Sequence, residues 1–246
     1  MAEPGTLQAF VDRGAVAAEV FDLRPDYRAV LVAVDGLVPG PSDTETDELL
    51  QRAELSATAA LQRGPVEEIP QVESWRQAYR AFGAKPQRTR NSLEALLRRA
   101  ETGLPRVNRL TDIYNAISVL HRIPLGGEDL TFYSGAPRLV RALGTELFET
   151  VTGGDTVVEH PSPGEVVWCD DIGVTCRRWN WRQGHRTRLR DTTTSALFIL
   201  DALSPVTDEA LLAAADDLST RLSRLGPDVG TAIRLVRPDR MSGEAR

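Results

Sequence analysis

Residues 27–37 form a β-branched, apolar run closed by Asp35-Gly36, and this run restricts the fold more than any other segment. It reads as a buried strand ending in a turn. Its uninterrupted part, residues 29–34, is far shorter than the roughly 20 apolar residues that a membrane span needs. The strand therefore requires cover from other elements, and with 41% hydrophobic residues over 246 positions the chain can supply it. Residues 1–6 contain an acid, a proline and a glycine, and no apolar core follows, so no secretory signal is expected. Cys169 and Cys176 are the only cysteines, too few for a disulfide framework and in keeping with a reducing cytoplasm.

The cover is read from helical periodicity. Helices are expected over 44–63, 72–82, 91–102 and 108–122, each closed by glycine or proline, with Asn91 and Glu94 spaced as a capping box. Beyond residue 124 the pattern changes to short strands over 139–143, 156–159, 165–169 and 174–179, with Asp171-Ile172-Gly173 turning the last two into a hairpin. Residues 193–200 read as a strand, although the apolar run also suits a helix. Residues 207–225 read as an amphipathic helix capped by Thr207, and 233–236 as a last strand. No linker divides the chain, so the expectation is one α+β domain over 1–246, with β-sheets flanked by helices.

Two stretches could carry chemistry. On a helix, Asn108, Thr111, Asp112, Asn115 and Ser118 share one face, opposite Leu110, Ile113, Tyr114 and Ile117. Short amides and hydroxyls of this kind can fix a ligand; they can equally cap neighbouring backbone groups. The second stretch, residues 177–190, holds six arginines and no acid, with Trp179 and Trp181 among them. Arginine forks suit phosphates and tryptophans suit bases. An extended strand would put Trp179 and Trp181 on one face and Arg178, Asn180 and Arg182 on the other. A core strand with inward tryptophans and outward arginines has the same pattern, so both readings stand.

The charge distribution agrees with a polyanionic partner. Of 29 basic residues 28 are arginine, Lys85 being the exception, a bias that a GC-rich genome accounts for. The total is −6, but residues 75–190 hold 18 basic and 12 acidic side chains, a balance of +6 against −12 in the flanks. Other chemistries fit poorly. The cysteines have no clustered histidine for zinc, and His121, His160 and His185 are isolated. Cys176 reads as a small buried thiol rather than a nucleophile, and no glycine loop forms a nucleotide cradle. Residues 124–129, Pro-Leu-Gly-Gly-Glu-Asp, read as a turn that could present backbone amides.

The run Arg106-x-Asn108-x-x-Thr111-Asp112-x-x-Asn115-x-x-Ser118 followed by Pro124-x-Gly126-x-x-Asp129 resembles the B3/B4 domain of the phenylalanyl-tRNA synthetase β subunit. It is closer still to small free-standing proteins built from that domain. Trp75-Arg76-x-Ala78-Tyr79, Ser92-x-Glu94-x-Leu96, Gly164-Glu165 and Arg177-x-Trp179-Asn180-Trp181-Arg182-Gln183 resemble that free-standing group. The resemblance covers about residues 75–225 and implies an α+β domain of sheets with flanking helices. It also implies a carboxylic ester hydrolase that deacylates mischarged tRNA in trans in the cytoplasm, without metal or cofactor.

On that resemblance Asn115 matches an asparagine of the editing pocket, Asp112 and Asn108 match supporting positions, and Asp129 matches an aspartate of a Pro-x-His-x-x-Asp motif whose histidine is here Gly126. No carboxylate stands among residues 194–200 to match the pocket glutamate of the synthetase. Side-chain chemistry extends these matches to a site with Asn108, Asp112 and Asn115 as catalytic residues and Gly126, Gly127, Asp129, Asn180, Arg182, Gln183 and Thr187 binding substrate. Arg177, Arg178, Arg186 and Arg188 would neutralise tRNA phosphates. Two other readings accompany it: a tRNA- or RNA-binding module without catalysis, and a binding protein for a free amino acid.

Overall fold

A computed structural model describes residues 4–238. Residues 1–3, part of the segment considered for a secretory signal, lie outside the described residues. The order is α1 (Pro4–Asp12), β1 (Ala15–Val16), α2 (Ala18–Leu23), β2 (Arg28–Asp35), α3 (Thr44–Leu61), α4 (Pro70–Ala81), α5 (Ser92–Arg99), α6 (Arg109–His121) and β3 (Leu125–Asp129). Then follow β4 (Arg138–Arg141), β5 (Phe148–Thr152), β6 (Asp155–Glu159), β7 (Val166–Cys169), β8 (Val174–Arg177), β9 (Arg182–Gln183), β10 (Ser195–Ala202), α7 (Asp208–Leu222) and β11 (Gly230–Val236). This is the α+β class expected from the sequence. No helix among the described residues is long and apolar enough to cross a membrane.

The apolar run at 27–37 becomes β2, inside an antiparallel sheet of order β11-β2-β10-β3. Strand alternation sends Val30, Val32 and Val34 to one face, where they meet the apolar stripes of α3, α5, α6 and α7. Ala29, Leu31 and Ala33 face the other way, into a second core with Trp75, Tyr79, Trp168 and Trp179. That core is closed by a five-stranded sheet of order β1-β4-β7-β8-β9. The layers run helices, sheet, sheet, and the space between the two sheets holds the candidate site.

Helix starts follow the expected caps. Asn91 accepts from the Glu94 amide at 2.9 Å, Asn108 from the Thr111 amide at 2.9 Å, and Thr207 from the Ala210 amide at 3.2 Å. The box at Asn91 is only half formed, because Arg76 and Arg98 take the Glu94 carboxylate, at 2.8 and 3.0 Å.

Two segments differ from expectation. Residues 125–129 form an edge strand rather than a turn, with Gly126 opposite Ile199 and Gly127 opposite Phe198. Their glycines are there for space: a Cβ on Gly127 would sit 2.8 Å from both Leu189 and Phe198, and one on Gly126 2.9 Å from Gln183 Nε2. The strand expected over 174–179 stops at Arg177, because Arg178 and Trp179 have left-handed backbones, φ 49° and 69°. The chain therefore turns between β8 and β9, and Trp179 and Trp181 do not share a strand face. Trp179 drops into the core beside Trp75, ring centres 5.3 Å apart, while Trp181 stays half-buried.

Candidate functional site

A cavity of about 260 Å³ opens between the two sheets. Each wall follows from strand or helix periodicity. On β10, Ile199 and Asp201 point away from the helix layer, and on the adjacent β3 Gly126 and Glu128 do the same. Strands β7 and β8 contribute Trp168 and Cys176. Helix α6 presents Tyr114 and Asn115, α5 presents Ser92, Ala95 and Arg99, and the 178–183 turn adds Asn180, Trp181, Arg182 and Gln183.

Two buried carboxylates set the electrostatics. Tyr27 OH donates to Asp201 Oδ1 at 2.5 Å and Asn180 Nδ2 donates to Oδ2 at 3.3 Å. Asn180 is in turn fixed by Tyr79 OH, which donates to its Oδ1 at 3.0 Å. Burial pushes the Asp201 carboxyl up to about 7. Glu128 accepts from Tyr133 OH, and burial pushes it up to about 7 against the opposing pull of that hydrogen bond. Burial also holds the Cys176 thiol well above its ordinary value, so it stays protonated and is no nucleophile. His185 pairs instead with Glu149, at 3.1 Å. Among the described residues no group of three His, Cys, Asp or Glu side chains is placed to hold a metal.

The raised carboxyls make the fold sensitive to alkali. Well below pH 4, Glu128 and Asp201 are protonated whether the chain is folded or not. Between pH 4 and 7 the unfolded chain releases protons that the folded chain keeps, so stability falls as pH rises, by up to about 1.4 kcal/mol per unit for each group. Thermal melts between pH 5 and 8 should show a falling midpoint, and Asp201→Asn should flatten that fall. A wild-type midpoint that climbs over the same range would contradict the assignment.

The structure brings Asn115, Gly126, Asn180, Arg182 and Gln183 together at one cavity. The Gln183 amide donates to the Gly127 carbonyl at 2.8 Å, crossing the space that a side chain at Gly126 would fill. The rest of the expected site lies elsewhere. Asn108 caps α6, and Asp112 is buried under the preceding loop, accepting from the Val107 amide at 2.8 Å and from Ser42 OH. Ser118 donates to the Ile123 carbonyl at 2.7 Å. Asp129 ties the 3₁₀ turn at Leu130–Phe132 to the next loop, accepting from Thr131 N at 3.0 Å and Thr193 OH at 2.6 Å. Thr187 is wholly buried, its carbonyl accepting from the Asp129 amide at 2.7 Å. Gly127 packs against Phe198 and Leu189.

The arginines divide as well. Arg177 is buried against Glu165, with both carboxylate oxygens engaged at 2.8 and 2.9 Å, and Arg186 grips Asp170 at 2.7 and 2.9 Å. Arg178 stacks on Trp181, 4.4 Å from its ring centre, and Arg188 is exposed. Residues 177–190 are therefore not one basic face. Arg182 belongs to the cavity, joined by Arg99, an exposed cation of α5 that sequence reasoning missed.

Glu128 and Asp201 were missed for a related reason. The span 194–200 does lack a carboxylate, but Asp201 is one residue beyond it, on the inward side of the same strand. An acid placed in phase with Leu197 and Ile199 was the available signal.

The architecture is similar to an N-terminal fragment of the phenylalanyl-tRNA synthetase β subunit from Pyrococcus horikoshii, at 13% identity and a TM-score of 0.46. That match covers 92% of this chain and 54% of the other, so this chain spans about half the length of the fragment. No curated protein matches the chain. The B3/4 domain matches residues 74–230, well over half of the sequence and every wall of the cavity, and the chain belongs to the B3/4 domain family.

Proposed function

We propose that this chain hydrolyses the ester between an amino acid and the terminal ribose of a tRNA, acting in trans. The observation that carries the reading is the meeting of Asn115, Gln183 and Glu128 in one cavity that also includes the cations Arg99 and Arg182. At about 260 Å³ the space lies at the small end of ligand pockets, which start near about 300 Å³, and suits an aminoacyl group better than a whole nucleotide.

The chemistry needs no covalent intermediate. A water oxygen attacks the ester carbonyl carbon, the bond to the ribose oxygen breaks, and that oxygen takes up a proton. The amides of Asn115 and Gln183 supply donors for the developing oxyanion and acceptors that hold the water. Glu128, whose carboxyl titrates at about 7, accepts the proton from water and passes it to the leaving oxygen. Asp201 presents negative charge to the ammonium group of the aminoacyl ester. Arg99 and Arg182 face the phosphates nearest the ester.

Purified protein incubated with a panel of aminoacylated tRNAs should deacylate at least one of them. Asn115→Ala should reduce that rate by about 100-fold, the cost of losing one oxyanion donor, with an unchanged thermal melt. Failure to deacylate any charged tRNA would refute the enzyme. A rate unaffected by Asn115→Ala would remove that residue from the site. A free amino acid binding in the cavity without any turnover would favour the small-molecule reading.

A further inference from the structure

We propose that a second hollow, which shares the 178–182 turn with the cavity as a partition, holds a backbone phosphate of the RNA strand whose end carries the ester. This rests on the deacylase reading and extends it to residues outside the cavity. The hollow measures about 300 Å³ and is lined by Lys85, Arg88, Thr89, Ser162, Glu165 and Arg178.

Its charge is what an anion requires. Lys85 and Arg88 are exposed, and among the described residues neither has an acidic partner within ion-pair distance. Arg178 donates to Thr89 OH and lies 3.7 Å from Glu165. Glu165 is shared by Arg177, which engages both of its oxygens from behind, and by Arg178. Lys85 and Arg88 are thus left as the uncompensated cations of a concave site to which Arg178 adds further donors. Arginine forks and a lysine ammonium together match the oxygens of a phosphodiester.

The partition explains why the two sites should work on one ligand. The wall consists of two segments joined by Ser92 N, which donates to the Asn180 carbonyl at 3.0 Å, and by the Arg178–Thr89 hydrogen bond. Ser92 and Asn180 line the cavity, while Thr89 and Arg178 line the hollow. The left-handed backbone at Arg178 and Trp179 reverses the chain here, placing Arg178 on the hollow and residues 179–183 on the cavity. Non-glycine residues adopt that conformation only under strain, and such strain concentrates at functional turns. An RNA strand crossing this narrow partition places its end in the cavity and a phosphate in the hollow.

The test uses the full chain and an uncharged tRNA, with binding measured over a series of salt concentrations. Lys85→Glu/Arg88→Glu should raise Kd about tenfold or more and make the log–log salt dependence shallower by roughly 0.7, for the one phosphate no longer neutralised. Arg63→Glu/Arg224→Glu applies the same charge change at exposed positions outside the hollow and should alter Kd by less than about threefold. Equal weakening by both double variants would overturn the proposal, as would no weakening by the first, or no RNA binding by wild type. Inorganic phosphate bound as tightly as the RNA would make this a free-anion site and overturn the RNA assignment. The two readings fail separately. Wild type that deacylates tRNA while Lys85→Glu/Arg88→Glu binds normally refutes only the hollow; selective loss of binding without deacylation by wild type refutes only the enzyme.

Discussion

Glu128→Gln should lower ester hydrolysis by about two to four orders of magnitude, the range that a positioned acid–base group contributes. Glutamine keeps the shape and still accepts from Tyr133 OH, but it cannot carry the proton from water to the ribose oxygen. The wild-type rate should climb through an apparent pKa of about 7 as Glu128 ionises. The groups that tune it are Tyr133 and Thr175 by hydrogen bonding, and Asp170 and Arg186 by charge. Asp170 and Arg186 are paired to each other, so their fields partly offset and burial stays the dominant cause. In the variant that limb of the pH–rate profile should vanish. The same substitution should leave the protein at least as stable as wild type above pH 7, since it removes a carboxylate that is ionised there inside an apolar cavity. Single-turnover deacylation from pH 5.5 to 8.5 at saturating enzyme, where Asp201, also pushed up to about 7, does not enter through substrate binding, tests the first half, and melts alongside test the second. A variant that keeps the wild-type rate or the rising limb would dismiss Glu128 as the base.

Removing the acid at Glu165 should produce the largest loss of stability, about 3–5 kcal/mol for Glu165→Ala. The side chain is 3% exposed and accepts both arms of Arg177, itself 8% exposed. It also accepts from the Arg178 amide at 3.2 Å and the Ser162 amide at 3.3 Å. Alanine would strand a guanidinium whose remaining partner, Glu159, sits at the surface end of the network. Urea denaturation should show a lower midpoint with an unchanged slope. A loss below about 1 kcal/mol would mean that water replaces the carboxylate, as at exposed ion pairs.

Legibility in the sequence followed the range of the interactions. The helix caps at Asn91, Asn108 and Thr207 could be read because cap and recipient amide lie within three residues. The hairpin of β7 and β8 was equally local. The segment 125–129 could not be read in that way. Two glycines suggest a turn by composition, whereas the strand exists because β10 pairs with it from about 70 residues away and because Phe198 and Gln183 need the room.

The arginine-rich stretch misled for the same reason. Counting charge within residues 177–190 finds no acid, yet Glu165 and Asp170, at the two ends of β7, reach in and neutralise Arg177 and Arg186. In the site, Asn115 was legible through its motif spacing. Glu128 and Asp201 depend on which side of a strand faces the other sheet, and only the assembled layers decide that.

The cavity's two sides have unequal freedom to change. One side belongs to β10, which is hydrogen-bonded along its length to β2 and over five residues to β3, so shifting Ile199 or Asp201 means shifting the register of a whole sheet. The opposite side is a short helix and a tight turn, α5 and 178–183, whose substitutions disturb no long ladder. On the deacylase reading, relatives that take other amino acids should therefore differ first at Ala95, Arg99, Trp181 and Arg182, resizing the chamber as a sliding door does while the frame stays put.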